Sequence, residues 1–250
     1  MTRRRFYAHP NCFTSDENSV TLGDEETRHL RDVLRLKTGD EVFVFNGAGR
    51  EFKCKIANIA RDSVQLSIMA EVAPARPESP LSLTMAVALL KGEKFDLVLQ
   101  KLTELGVTRV QPLITTLADV RLKEGADVDR KLTRWRRIVM EAAKQCGRAV
   151  VPEVTAPKDI CDLVESEEHP ALMFSERDGQ SLPEILRDLP SELSSVFALV
   201  GSEGGWTNDE LAQARQAGWK IVTLGGRILR AETAAIAVAT LLQHRFGDLR

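Results

Sequence analysis

The feature that most limits how this chain can fold is a set of short runs that are apolar along nearly their whole length. They are LSLTMAVALL (81–90), ALMFS (171–175), VFALV (196–200) and KIVTL (220–224). A strand with apolar side chains on both faces needs cover on both faces. The segments between these runs have helical spacing. Phe95, Val98, Leu99, Leu102 and Leu105 share one face, with Gly106 as a stop, and Leu132, Trp135, Val139 and Ala142 form a second stripe. VTRVQPLIT adds another strand. Strands alternating with helices predict a mostly parallel α/β sheet with helices on both faces.

The first third reads differently. Val42–Phe45, Phe52–Ile59 and Val64–Met69 are short apolar runs, and Asn46, Gly47, Ala48 and Gly49 between the first two signal a hairpin. A small barrel or sandwich follows from this pattern. Ahead of it, Leu30, Val33 and Leu34 have helical spacing, with Gly39 as a stop. APARPESP (73–80) has three prolines and no aliphatic run, as a linker does. The expected division is a β domain over 1–73 and an α/β domain over 74–250.

Hydrophobic residues make up 43% and charged residues 28%, an ordinary globular balance. No apolar run reaches the roughly 18 residues that span a bilayer, and no apolar stretch follows the basic start MTRRRFYAHP, so neither a membrane span nor a signal peptide is expected. Cys12, Cys54, Cys146 and Cys161 are scattered, which suggests no zinc site or disulfide framework and fits a reducing cytoplasm. Net charge is −2, yet Arg130 to Arg148 holds seven Lys/Arg against one acid. That segment is either a solvated helix face or a phosphate-contacting patch.

In open α/β sheets ligands sit beyond the carboxyl ends of the strands. Three such ends are distinctive: Met173-Phe174-Ser175-Glu176, Gly201-Ser202-Glu203-Gly204-Gly205, and Gly225-Gly226-Arg227-Ile228-Leu229-Arg230. The second holds three glycines in five residues, which lets backbone approach a ligand closely or simply makes a tight turn. Thr207 or Asn208 can cap the helix after it. The chain contains no Walker motif, and a dinucleotide fingerprint would lie after the first strand of its domain. Glu203 inside the loop repels phosphate, so a cationic ligand, or one held through adenine and ribose, fits better. Arg227 and Arg230 bracket the start of the last helix, where a cation opposes the helix dipole. Either that conflict is functional, or Arg230 pairs with Glu203 or Glu232.

At these residues a resemblance becomes specific. LVGSEGGWTNDE, followed by LGGRILRAETA, resembles the paired C-terminal motifs of the 16S ribosomal RNA uridine-N3 methyltransferase family, which belongs to the SPOUT class. LLKGEKFDLVLQKLTELGVTRVQPL and RWRRIVMEAAKQCGRAVVPEV are similar to its central segments, and HLRDVLRLKTGDEVFVFNGAGREFKCKI to its PUA-like RNA-binding domain. Ser202 stands where the family usually has proline, and Ala231 where its last helix usually has threonine.

The resemblance implies a deep C-terminal trefoil knot in the α/β domain, a homodimer, and S-adenosylmethionine as cofactor; the dispersed cysteines and the four dispersed histidines, His9, His29, His169 and His244, separately predict no metal. It implies donor contacts at Met173, Phe174 and Ser175, at Val200, Gly201, Glu203, Gly204 and Gly205, and at Leu224, Gly225, Ile228 and Leu229, with Thr233 and Ala234 on the helix that follows. The implied reaction is methylation of a uridine N3 in 16S rRNA, within an assembled small ribosomal subunit. Arg230 is the first candidate to stabilise the uracil anion and Arg227 the second. Glu203 or Glu232 takes the proton or orients the arginine. Arg3, Arg4, Arg5, Arg28, Arg31, Arg35, Arg130, Arg134, Arg137, Lys144 and Arg148 are the expected RNA-phosphate contacts. The competing readings are another rRNA or tRNA position, a non-catalytic RNA-binding protein, and a nucleotide-dependent oxidoreductase. The last lacks its G-x-G-x-x-G.

Overall fold

The structure is a computed structural model and describes residues 3–121, 125–164 and 171–249. Packing divides the chain into two units: Met1–Glu78 with Met140–Val151, and Ser79–Val139 with Pro152–Arg250.

The first unit contains β1 (Arg5–Tyr7), β2 (Ser19–Leu22), α1 (Asp24–Arg28), β3 (Glu41–Phe45), β4 (Glu51–Ile59) and β5 (Val64–Val72). The strands form one sheet in the order β1-β3-β4-β5-β2, antiparallel except for β1 on β3. Along β4, Phe52, Cys54 and Ile56 are buried while Lys55 and Ala57 face out, the period-two pattern of a sheet with one wet face. Phe6, Val20, Leu22, Val42, Val44 and Leu66 complete this core. Two register shifts between β4 and β5 bend the sheet. At the hairpin, Gly47 has φ +76°, and a Cβ there would come within 2.9 Å of the Tyr7 ring, so only glycine fits.

The helix expected through Leu34 stops early. α1 passes into a widened turn at His29–Val33, and the chain then reverses through Arg35 at φ +52°. Leu30 is buried, but Val33 is 67% exposed and Leu34 is also exposed, so the apolar spacing over-read the length of the core face.

Residues 73–78, read as a linker, are tied to the first unit. The Ala75 N–H donates to Glu51, and Glu78 pairs with Arg148 at 2.8 Å. Glu51 is fully buried and also receives Arg5 at 3.1 Å.

The second unit contains β6 (Ser82–Ala88), α2 (Lys94–Glu104), β7 (Arg109–Ile114), the part of α3 (Ala126–Cys146) up to Val139, β8 (Glu153–Val154), β9 (Lys158–Asp159), α4 (Ile160–Val164), β10 (Ala171–Phe174), β11 (Gln180–Ser181), α5 (Leu182–Asp188), β12 (Ser195–Val200), α6 (Asn208–Gln216), β13 (Lys220–Thr223) and α7 (Ala231–Phe246). Every strand pairing is parallel, in the order β11-β13-β10-β12-β6-β7-β8, with β9 beside β7. All four residues of β10 are buried, as the uninterrupted apolar run requires. Helices flank the sheet, and α7 packs on α2, β12 and β6.

This strand order positions the site. β10 lies between β13 and β12, with Phe174 in register with both Val200 and Val222. Three crossovers therefore deliver three loops, far apart in sequence, to one end of the sheet.

Candidate active site

Each of the three loops is shaped by its own residues. After β10, the Ser175 N–H donates to the Val222 carbonyl at 2.9 Å, and the Ser175 hydroxyl accepts from the Arg177 N–H. After β12, Gly201 to Gly205 turn back on themselves, with the Gly205 N–H on the Ser202 carbonyl at 3.0 Å. Gly205 sits at φ +70°, where a Cβ would lie 2.9 Å from a Glu176 carboxylate oxygen. After β13, Gly225 and Gly226 both take the left-handed conformation and carry the chain to Arg230, the N-cap of α7.

Trp206 fastens two of these loops together. It is 1% exposed, and its indole N–H donates to the Phe174 carbonyl at 2.8 Å. Thr207, rather than Asn208, caps α6 in a capping box with Glu210, whose other oxygen accepts from the Thr116 N–H. The loop is thus anchored on both sides.

The loops enclose a cavity of about 660 Å³, within the ordinary range for small-molecule sites. Of the residues expected to contact a cofactor, Phe174, Ser175, Val200, Gly201, Glu203, Gly204, Gly205, Leu224, Gly225, Ile228, Leu229 and Ala234 line it, together with Arg227 and Arg230. Met173 does not, being wholly buried within β10, and Thr233 is exposed to solvent. Trp206 and Thr223 line it without having been expected to. A tryptophan following glycines is the one sequence signal that marks Trp206.

Three buried oxygens in and beside this cavity have no hydrogen-bond partner among the described residues: Ser202 Oγ, Thr223 Oγ1 and Glu232 Oε2. Buried polar atoms are ordinarily paired, so a polar ligand is the natural complement to the two hydroxyls that line the wall.

The charges at the rim are arranged around a residue that sequence reasoning missed. Lys94, at the start of α2, reaches Glu203 Oε1 at 2.9 Å and lies 3.8 Å from Glu232 Oε2. Burial pushes the Glu203 carboxyl up, but the hydrogen bond from Lys94, a backbone N–H and the Lys94 charge together hold it below the usual carboxylate range. The Lys94 ammonium is raised, chiefly by its hydrogen bond to Glu203. Arg230 makes no ion pair among the described residues, so the expected alternative of a bridge to Glu203 or Glu232 is not what forms. Arg227 is exposed at the cavity edge.

The basic residues separate into two groups. Arg5 is 9% exposed; besides pairing with Glu51, it donates to the carbonyls of Lys144 and Arg148. Lys144 pairs with Glu26 at 2.7 Å, and Arg148 with Glu78, both largely buried. These three arginine and lysine side chains hold the first unit together. Arg3 also reaches Glu51, but is partly exposed. Arg4 and Arg35 are exposed. Arg28 pairs with Asp24, Arg31 with Asp32, Arg130 with Asp127 and Arg134 with Asp96, all at the surface, and Arg137 is exposed on α3. Among the described residues no helix is long and apolar enough to cross a membrane, and no cluster of His, Cys, Asp or Glu could hold a metal ion.

Comparison with known proteins agrees with this geometry. A family profile described as an RNA methyltransferase domain matches residues 77–243, and one described as an RNA methyltransferase PUA domain matches residues 22–69. A protein of Synechocystis sp. named ribosomal RNA small subunit methyltransferase E is 35% identical over 232 residues, covering 90% of this chain and 73% of that one. Its namesake in Rickettsia conorii is 33% identical, covering 94% and 93%. The crystal structure of the Neisseria gonorrhoeae ribosomal RNA small subunit methyltransferase E bound to S-adenosyl methionine superposes with a TM-score of 0.87 at 33% identity, covering all of both chains. A Legionella pneumophila protein with SAM bound gives 0.89 at 31% identity, again over all of both chains.

Proposed function

The chain belongs to the RNA methyltransferase family, and from that premise we propose that it is an S-adenosylmethionine-dependent enzyme that methylates N3 of a uridine in 16S ribosomal RNA. The observation that carries the reading is the three-loop cavity, with orphaned hydroxyls in its wall and a guanidinium at its mouth.

The residues present suit this donor. Glycine-rich backbone at 201–205 and 225–226 allows close approach to the adenosyl and methionine parts. Ser202 and Thr223 offer hydroxyls, and the carboxylates of Glu176 and Glu203 line the wall. A sulfonium beside either carboxylate is favoured, and a polyphosphate there is disfavoured. When bound, S-adenosylmethionine supplies an electrophilic methyl group.

Neutral uracil carries a proton on N3, and removing it spreads negative charge over O2 and O4. Arg230, which makes no ion pair among the described residues, stabilises that charge at the cavity mouth, with Arg227 also on the rim. Glu203 and Glu232 are the acids within reach of the proton. N3 lies on the Watson–Crick edge, so the target base is unpaired or turned out of its helix. Arg4 and Arg35, with the exposed arginines of α1 and α3, contact RNA phosphates and set register. The reading extends to a PUA-like domain over 1–73, a methyltransferase domain over 74–250, a knotted C-terminal segment, a homodimer, an assembled small subunit as substrate, and the cytoplasm as location.

The test is transfer of labelled methyl from S-adenosylmethionine into small ribosomal subunits, followed by mass identification of the labelled nucleoside. Label in 3-methyluridine of 16S rRNA is expected. Label in another nucleoside would change the target, and no label would leave an RNA-binding protein.

A further inference from the structure

The rim of the cavity poses an electrostatic problem. Arg230 is exposed at the mouth of a site that also carries Glu203 and Glu232. An unpaired guanidinium beside two carboxylates normally pairs with one of them. It does not here, because Lys94 occupies both: Glu203 Oε1 at 2.9 Å and Glu232 Oε2 at 3.8 Å. Two other acids of the neighbourhood have their own cations: Asp119 pairs with a second lysine, Lys91, at 2.8 Å, and Glu176, on the cavity wall, lies 3.8 Å from Arg177. The Arg230 charge is also near enough to act on Lys94, and two like charges repel. Lys94 therefore removes the competing partners of Arg230 and sets a like charge near it.

We propose that Lys94 is a positioning residue for methyl transfer: by taking Glu203 and Glu232 as its own partners, it keeps the Arg230 guanidinium without an internal counter-charge and available to the substrate anion. This rests on the assignment of Arg230 above. Lys94 lies on α2, before the residues of the three loops in sequence, and does not itself line the cavity. Its effect is on charge and passes through Arg230. Without Lys94, Glu203 is left with an unpaired charge, and Arg230 is the cation that answers it. A quenched guanidinium then meets the substrate.

The experiment uses full-length protein and two readouts. The first is the single-turnover rate of methyl transfer to small ribosomal subunits, with donor affinity measured by calorimetry. Lys94→Met is expected to slow transfer about tenfold or more while donor affinity stays within about twofold, because the lost interaction acts on the transition state. Lys94→Arg keeps most of the rate. The double variant Lys94→Met/Glu203→Gln loses less rate than the two single losses combined, because the acid that captures Arg230 is gone. The second readout is arginine side-chain NMR, with the Arg230 signal assigned by its loss in Arg230→Lys. Guanidinium rotation at Arg230 is expected to be fast in the wild type and in the double variant, and slow in Lys94→Met. A double variant no faster than the two single losses combined, or an Arg230 signal unchanged by Lys94→Met, overturns the proposal and leaves Lys94 as a structural tie. The NMR readout needs no turnover. Wild-type protein that transfers no methyl thus refutes the proposed function, while Arg230 rotation still decides the role of Lys94.

Discussion

Replacing Trp206 by phenylalanine tests whether the cavity is held in shape by one hydrogen bond. The indole N–H donates to the Phe174 carbonyl at 2.8 Å, and the ring is 1% exposed. Phenylalanine keeps an aromatic ring but has no donor, so the buried carbonyl loses its partner at a cost of roughly 1–3 kcal/mol. The smaller ring also leaves about 40 Å³ unfilled, and at about 24 cal/mol per Å³ that adds about 1 kcal/mol. A total of about 2–4 kcal/mol lowers the melting temperature of a chain this size by about 5–15 °C. The bond also joins the loop after β12 to the end of β10, and both line the cavity. Donor binding must then order a loosened loop, and affinity is expected to fall at least about fivefold, or about 1 kcal/mol. Trp219→Phe is the control: Trp219 packs on Phe197 away from the cavity, and its loss costs stability without weakening the donor. Calorimetric melts and donor titrations of both variants decide the matter. If Trp206→Phe binds the donor as tightly as Trp219→Phe does, the indole does not hold the loops together.

Further predictions follow from the same contacts. Arg230→Ala lowers the single-turnover rate about 10²–10³-fold and leaves donor affinity within a few-fold; transfer at the wild-type rate would remove Arg230 from the mechanism. Glu203 is held below the ordinary glutamate range, because Lys94 outweighs the opposing effect of burial. Its stabilising contribution is therefore present at neutral pH and lost as pH falls through that lowered value. Glu203→Gln flattens the acid limb of the stability curve there, measured as urea midpoints at stepped pH; an acid limb identical to wild type contradicts the pairing. Arg5→Ala strips a partner from the fully buried Glu51 and destabilises by about 3–5 kcal/mol in the same melts. Exposed Arg4→Ala leaves the melt unchanged and reduces the salt dependence of RNA binding by about 0.7 in log–log slope. If Arg4→Ala instead lowers the melt, its side chain belongs with Arg5 in the core.

What could be read from the sequence was whatever depends on nearest neighbours. The apolar runs at 81–90, 171–175, 196–200 and 220–224 became β6, β10, β12 and β13, because burial on both faces leaves few polar positions along the strand. The three strand-end loops, two of them marked by glycines, were visible for the same local reason, and strand order then brought them together. Short elements were not visible. β8, β9 and β11 have two residues each, too few to show a period. Leu30, Val33 and Leu34 promised a longer helix because spacing alone does not reveal the reversal at Arg35. Charge partners were the least legible feature. Lys94 and Glu203 are 109 residues apart, and nothing in the pattern of either segment announces that they meet. For the same reason Arg5, Lys144 and Arg148 read as surface cations, although their partners Glu51, Glu26 and Glu78 draw them inward.

The central claim is that the loops after β10, β12 and β13 hold the methyl donor beside Arg230. A crystal of this chain grown with S-adenosylmethionine tests it most directly. The account predicts density for the donor among Gly201, Gly205, Leu224 and Leu229, with its methyl group facing the side on which Arg230 stands. Density elsewhere on the chain, or a methyl group turned away from Arg230, contradicts it.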